Sequence, residues 1–269
     1  MLATIPSPSS NALELGPLTV HYYGLAIALG MVLAVTVVRR RYRAAGGDPD
    51  LADRTAVWAI LAGLVGARMG YVSTNLDRFF PDRPAAVLFV WEGGLAFFGG
   101  LTLGALAALW YLRRNGALSP TFIDAAAPAI PLAHAVGRWG NYFNQELYGT
   151  RTDLPWGLEI DREPGPVHPT FLYESLANLL LMGILVLLGR SGRLARGSLI
   201  FVYLIGYGTV RFLLELIRTD TEFRLLGISR NGYVAMLVVT LGVAGLVWWN
   251  RRRPVAEHDP QSEAAAVDE

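Results

Sequence analysis

Between Gly137 and Gly149 the chain carries Arg138, Asn141, Asn144, Gln145 and Glu146 directly after an apolar stretch. Polar groups at such density on an apolar boundary are costly, so they mark a site that handles a polar, anionic part of a substrate. Local spacing fixes no partner for Arg138, although Glu146 and Glu174 are within reach. Its planar fork suits a phosphate, because it offers paired donors to two oxygens. Arg211 and Glu215 are four apart and can meet on one helix face. Such a pair is either structural, limiting the cost of burial, or part of the same chemistry.

The elements that position these residues follow from composition. The chain has 269 residues, 53% hydrophobic and 17% charged, with mean hydropathy +0.37, which points to a polytopic helical membrane protein. It contains no cysteine, which excludes a disulfide framework, a thiolate metal site and a cysteine nucleophile of its own. Apolar runs near the length of a membrane crossing predict seven spans: 22–38, 55–73, 94–112, 121–137, 168–188, 197–215 and 231–249. Pro128 and Pro131 interrupt the fourth and are expected to kink or end a helix there.

All 23 basic residues are arginine, and they cluster. Arg39, Arg40, Arg41, Arg43 and Arg54 follow the first span, Arg113 and Arg114 the third, Arg190, Arg193 and Arg196 the fifth, and Arg251, Arg252 and Arg253 the seventh. Seven spans put every cluster on one side, which predicts a cytoplasmic C-terminus and an extracytoplasmic N-terminus. Tyr23, Arg138, Asn141, Asn144, Glu146, His168, Arg211 and Glu215 then lie at or beyond the outer span ends. The reactive face is therefore expected to be extracytoplasmic.

The first 20 residues lack a basic segment and hold Pro6, Pro8 and Pro17, so they do not read as a cleavable signal peptide, and the first span is expected to be an uncleaved anchor. Residues 254–269 are acidic, alanine-rich and free of aromatics, the composition of a disordered cytoplasmic tail after a single transmembrane domain over 1–253. Trp91, Trp110, Trp156, Trp248 and Trp249 fall near span ends, as interfacial anchors do, while Trp139 sits inside the polar cluster. Gly63, Gly66, Gly70 and Gly104 have the spacing of close helix packing. The pairs Gly93-Gly94 and Gly99-Gly100 suggest irregular backbone lining a cavity, with amides available to a ligand.

The chain resembles the phosphatidylglycerol:prolipoprotein diacylglyceryl transferases of bacterial inner membranes. The similarity runs from His21-Tyr22-Tyr23-Gly24 through Gly66-Ala67-Arg68-Met69-Gly70-Tyr71-Val72 to the last span. Its most specific block is Gly137 to Gly149, which matches the family's G-R-x-G-N-[FY]-x-N-x-E-x-x-G pattern at every fixed position. His168-Pro169-Thr170-Phe171-Leu172-Tyr173-Glu174 resembles a second block, and Tyr207-Gly208 with Arg211, Glu215 and Arg218 a third. The resemblance implies transfer of the sn-1,2-diacylglyceryl group of phosphatidylglycerol to the thiol of a lipobox cysteine, with release of glycerol 1-phosphate. Arg138, Arg211, Glu146, Glu215 and Tyr23 are the catalytic candidates, and Arg138, Asn141, Asn144, Gly99, Gly100 and His168 the candidates for phosphatidylglycerol binding. The two arginines would hold the charge growing on the leaving phosphate, the asparagines would orient the glycerol, and the glutamates would hold the arginines or receive the thiol proton. The implied partners are phosphatidylglycerol, prolipoprotein signal peptides and membrane lipids, with no nucleic acid, no cofactor and no metal.

The chain departs from the family pattern in two places. Phe98 stands where many members have a histidine before Gly-Gly-Leu, and Asn231-Gly232 where a glutamine often precedes the last span. Phe98 cannot take a proton, so the acceptor falls to Tyr23, His168, Glu146 or Glu215; His21 and His134 are weaker candidates, as packed histidines. Phe98 is also the feature that favours a non-catalytic phospholipid-binding relative. A lipid transporter would instead show two related halves with discontinuous helix pairs, and no internal repeat is visible.

Overall fold

A computed structural model describes residues 4–16, 18–80, 82–90, 93–219 and 224–252; the expected tail at 254–269, Trp91 and Arg253 lie outside the described residues. Its contacts divide the chain into two compact units, one of Val38–Phe122 and the other of Met1–Val37 with Ile123–Glu269.

The Val38–Phe122 unit is built on α2 (Pro49–Thr74) and α3 (Phe97–Arg114). Helix α2 begins six residues before the expected span, because Asp48 accepts a hydrogen bond from the Asp50 amide at 2.9 Å and Pro49 needs no partner for its nitrogen. The two helices meet through glycines: a Cβ on Gly104 would lie 2.9 Å from the Ala59 carbonyl oxygen, and one on Gly100 3.1 Å from that of Gly63. Gly93 and Gly94 have φ of 82° and 75°, the left-handed region that delays the start of α3 to Phe97. Gly99 and Gly100 do not share that irregularity. Both are in the first turn of α3, against Gly66, Gly63 and Ala67 of α2, and the Gly100 amide is bonded to the Ala96 carbonyl at 3.2 Å.

Arg68 of α2 ties down the connection between the two helices. Its Nε donates to Val87 O at 2.8 Å, its Nη1 to Gly93 O at 2.6 Å and Gly94 O at 3.1 Å, and its Nη2 to Ala86 O at 2.5 Å. Phe79 covers the guanidinium at 5.2 Å.

The other unit starts with an antiparallel hairpin, β1 (Ala12–Leu15) and β2 (Leu18–His21), that leads into α1 (Tyr22–Ala44). The fourth expected span is broken: α4 (Pro120–Ala126) stops before Pro128, and α5 (Ala129–Phe143) carries the polar block at its C-terminal end. Next come α6 (Thr170–Arg190), α7 (Leu199–Glu215), a short hairpin of β3 (Arg224–Leu225) and β4 (Ile228–Ser229), and α8 (Arg230–Arg252). Asp124 of α4 sets the start of α7, its carboxylate accepting from the Gly197 and Leu199 amides at 2.6 and 3.1 Å. Helices α7 and α8 approach closely, since a Cβ on Gly208 would lie 3.0 Å from Ala235 O and one on Gly242 3.1 Å from Phe201 O.

Among the described residues four helices, α1, α2, α6 and α8, are long and apolar enough to cross a membrane. Helices α3 and α7, at 18 and 17 residues, reach only about 27 and 26 Å, at the lower limit of a crossing.

Candidate active site

The polar block sits at the end of α5, and its geometry begins with a glycine. A Cβ on Gly140 would lie 2.6 Å from the Tyr23 ring and 3.2 Å from its Cα, so only glycine lets the first turn of α1 press against α5. Tyr23 is thereby placed where its hydroxyl feels the charges of both Glu146 and Arg138.

Arg138 Nη2 lies 2.8 Å from Glu174 Oε1 in an ion pair, and its Nη1 donates to Asn141 Oδ1 at 3.1 Å. Of the two carboxylates within sequence reach, the structure gives Arg138 to Glu174, an α6 residue 1% exposed. Glu146 serves the asparagines instead: its Oε1 accepts from Asn141 Nδ2 at 2.8 Å and Asn144 Nδ2 at 3.3 Å. Gln145 and Leu147, on either side of it, have φ of 50° and 57°, a conformation that costs a non-glycine residue about 1 kcal/mol or more and persists where the surroundings impose it. Here those surroundings include the Glu146 amide bonded to Asn141 O at 3.1 Å and the Thr170 hydroxyl bonded to Leu147 O. The other oxygen of Glu146 has no partner among the described residues.

A second cluster lies on α7. Arg211 Nη2 meets Glu215 Oε2 at 2.9 Å, and Glu215 Oε1 accepts from the Ser229 hydroxyl at 2.7 Å and from Asn231 Nδ2 at 3.4 Å. Asn231, at the position of the second departure from the family pattern, thus contributes an amide donor to Glu215. Arg211 Nη1 is buried with no hydrogen-bond partner among the described residues. Tyr207, one turn earlier on α7, lies within electrostatic reach of Glu174, Arg138, Arg211 and Arg218.

His168 stands apart from both. Its Nδ1 is 3.2 Å from the Tyr173 hydroxyl, which also accepts from Trp156 Nε1 at 3.0 Å. The phenol keeps one proton and a second lone pair, so the direction of its bond with His168 follows the imidazole tautomer. Gly99 and Gly100 belong to the other unit and to the helix contact described above.

The loop between α5 and α6 frames the clusters. Gly149 bridges to Arg218, Arg151 and Leu158 to Val167, and Ile5 to Leu158. Within it the Tyr148 hydroxyl donates to Glu163 at 2.8 Å, and that bond, with burial, raises the phenol above its ordinary range. Glu174, Tyr207, Ser229 and Tyr173 were not singled out as site residues by the sequence; a buried acid in an apolar helix was the available signal for Glu174.

The profile of the family described as prolipoprotein diacylglyceryl transferase matches residues 10–248 and so spans both units. The chain belongs to the prolipoprotein diacylglyceryl transferase family. It is 41% identical to phosphatidylglycerol–prolipoprotein diacylglyceryl transferase 2 of Streptomyces coelicolor, over 99% of this chain and 87% of that protein. It is 43% identical to the phosphatidylglycerol–prolipoprotein diacylglyceryl transferase of Frankia alni, over 98% of this chain and 72% of that one. The Corynebacterium efficiens relative, likewise so named, is 38% identical over 99% of this chain and 89% of its own length.

Proposed function

We propose that this chain transfers the diacylglyceryl group of phosphatidylglycerol to the lipobox cysteine of prolipoprotein signal peptides at the extracytoplasmic face of a bacterial inner membrane. The substrate's sulfur forms a bond to the glycerol carbon that carries the phosphate ester. The C–O bond breaks, its electron pair leaves on the phosphate oxygen, and glycerol 1-phosphate is released. The thiol proton passes to Glu146, which has an oxygen to spare, with Tyr23 beside it. Arg138 and Arg211 take the leaving phosphate, and Asn141 and Asn144 orient the glycerol headgroup. Glu174 and Glu215 hold the two guanidinium groups in place. His168 binds at the outer edge.

The observation that carries this reading is the buried Nη1 of Arg211, which has no hydrogen-bond partner among the described residues. An uncommitted donor on a guanidinium already held by a carboxylate is ready for an anion without first giving up a protein partner. Purified protein should transfer diacylglycerol from phosphatidylglycerol to a lipobox peptide. No transfer by folded protein would leave a phospholipid-binding relative as the better account.

The same reading needs seven crossings, with α4 and α5 together forming one broken span. Its support is the arginine at the ends of α1, α3, α6 and α8. Single cysteines at Thr152 and Ser191 should label with an impermeant maleimide from opposite faces of the membrane. Labelling of both from one face would discard this topology.

A further inference from the structure

Beside the polar clusters runs an apolar groove of about 450 Å³, walled by Tyr22, Ala26 and Leu29 of α1, Ala135 and Trp139 of α5, and Leu179 of α6. It begins where the polar residues end. On three helices one residue belongs to the polar site and the next to the groove: Tyr23 beside Tyr22, Arg138 beside Trp139, and Glu174 beside Ser175. Successive helical residues are about 100° apart, so polar site and groove occupy neighbouring stripes of the same three helices. From Tyr22 to Leu29 the α1 wall covers about 10 Å along the helix, less than the ~15 Å of one hydrocarbon leaflet.

We propose that this groove holds the headgroup-proximal part of one acyl chain of the phospholipid whose phosphate sits on the arginines, and that Ala26 and Leu29 set which chains fit. The proposal rests on the function given above. Size and chemistry both favour an acyl chain over the apolar segment of a signal peptide. A helix about 10 Å wide needs on the order of 800 Å³ over that length, well beyond this groove. A non-helical peptide would need hydrogen-bond partners for its backbone, whereas the lining is almost wholly apolar and an acyl chain needs none.

The test uses the full chain in detergent, a lipobox peptide, and two donors: dipalmitoyl phosphatidylglycerol and dihexanoyl phosphatidylglycerol, whose chains end before Leu29. Ala26→Phe should lower kcat/KM for the dipalmitoyl lipid by about tenfold or more and for the dihexanoyl lipid by less than about twofold, in the range of discrimination a hydrophobic pocket supplies. Leu29→Trp, at an exposed position that tolerates size, should do the same and carries the test should the Ala26 variant not fold. Ala28→Phe, on α1 but outside the groove lining, should change neither. Equal losses with both lipids, no loss with either, or a rise confined to the KM of the peptide would overturn the acyl-chain assignment. If the unmodified protein uses neither lipid, the proposed function has failed. The groove is then read by mass spectrometry of co-purified phospholipid, which Ala26→Phe should deplete of long chains and which an unchanged profile would refute.

Discussion

Arg68 and Arg211 each project from an apolar helix, yet their guanidinium groups are satisfied in different ways. Arg68, 6% exposed, gives four of its five N–H donors to backbone carbonyls of Ala86, Val87, Gly93 and Gly94, and its partners are neutral. Arg211 faces the carboxylate of Glu215 and keeps a buried Nη1 without a hydrogen-bond partner among the described residues. Arg138 stands between these cases, with Glu174 on one nitrogen and the amide of Asn141 on the other. A guanidinium saturated by backbone oxygen fixes a loop. One neutralised by a carboxylate, with donors left or held only by a side-chain amide, can exchange a contact for an incoming phosphate.

The comparison breaks most easily at Arg138 and Arg211. Lysine at either keeps the charge and loses the fork, so each substitution should cost roughly 2–4 kcal/mol in the transition state, about thirty- to a thousandfold in turnover, at unchanged abundance. Near-normal transfer by both variants would return the pair to a structural role. Arg68→Lys should do the reverse, leaving several carbonyls unsatisfied and lowering stability by about 3 kcal/mol. The readouts are thermal unfolding in detergent and faster proteolysis within residues 75–96, with activity per folded molecule little changed. Gly66→Ala should also act on stability alone, by about 2 kcal/mol, because its Cβ would press on Leu103 and the Gly99 carbonyl; an alanine variant as stable as the parent would show that α2 and α3 can separate freely.

Phe98 gives the smallest expected effect. It is 78% exposed in the first turn of α3, and a thiol near its usual pKa of ~8.5 is already a few per cent ionised at neutral pH, a fraction that nearby guanidinium groups increase. Phe98→His should therefore change turnover by less than about tenfold, or 1.4 kcal/mol. If the parent is inactive and this substitution restores transfer, the chain is a non-catalytic relative.

Apolar runs located the helices because burial in hydrocarbon and helix formation select the same residues, but they misjudged the ends. Arginine is a good helix former, so α1 continues through Arg39, Arg40, Arg41 and Arg43 to Ala44, where the apolar run stops at 38. The break at Pro128 was legible from proline chemistry. The helical state of Gly99 and Gly100 was not, because a glycine pair looks the same in sequence whether it bends the chain or admits a neighbouring helix. Pairing over four residues, as in Arg211 with Glu215, is written in helical periodicity. The bond from Ser229 to Glu215 is not, since a hairpin intervenes and no local period spans it.

The bridges from Ile5 to Leu158 and from Gly149 to Arg218 also constrain when the site can come into being. They join segments from the beginning, the middle and the last third of the chain, and Thr150 N bonds to Ile217 O at 2.8 Å. During synthesis the Arg138 block emerges roughly 70 residues before α7 is complete, an interval of several seconds at ~5–20 residues per second. Through that interval Arg138, Asn141 and Glu146 exist without the second guanidinium. On the roles proposed for Arg138 and Arg211, phospholipid around the growing chain meets no complete phosphate site until the second arginine arrives.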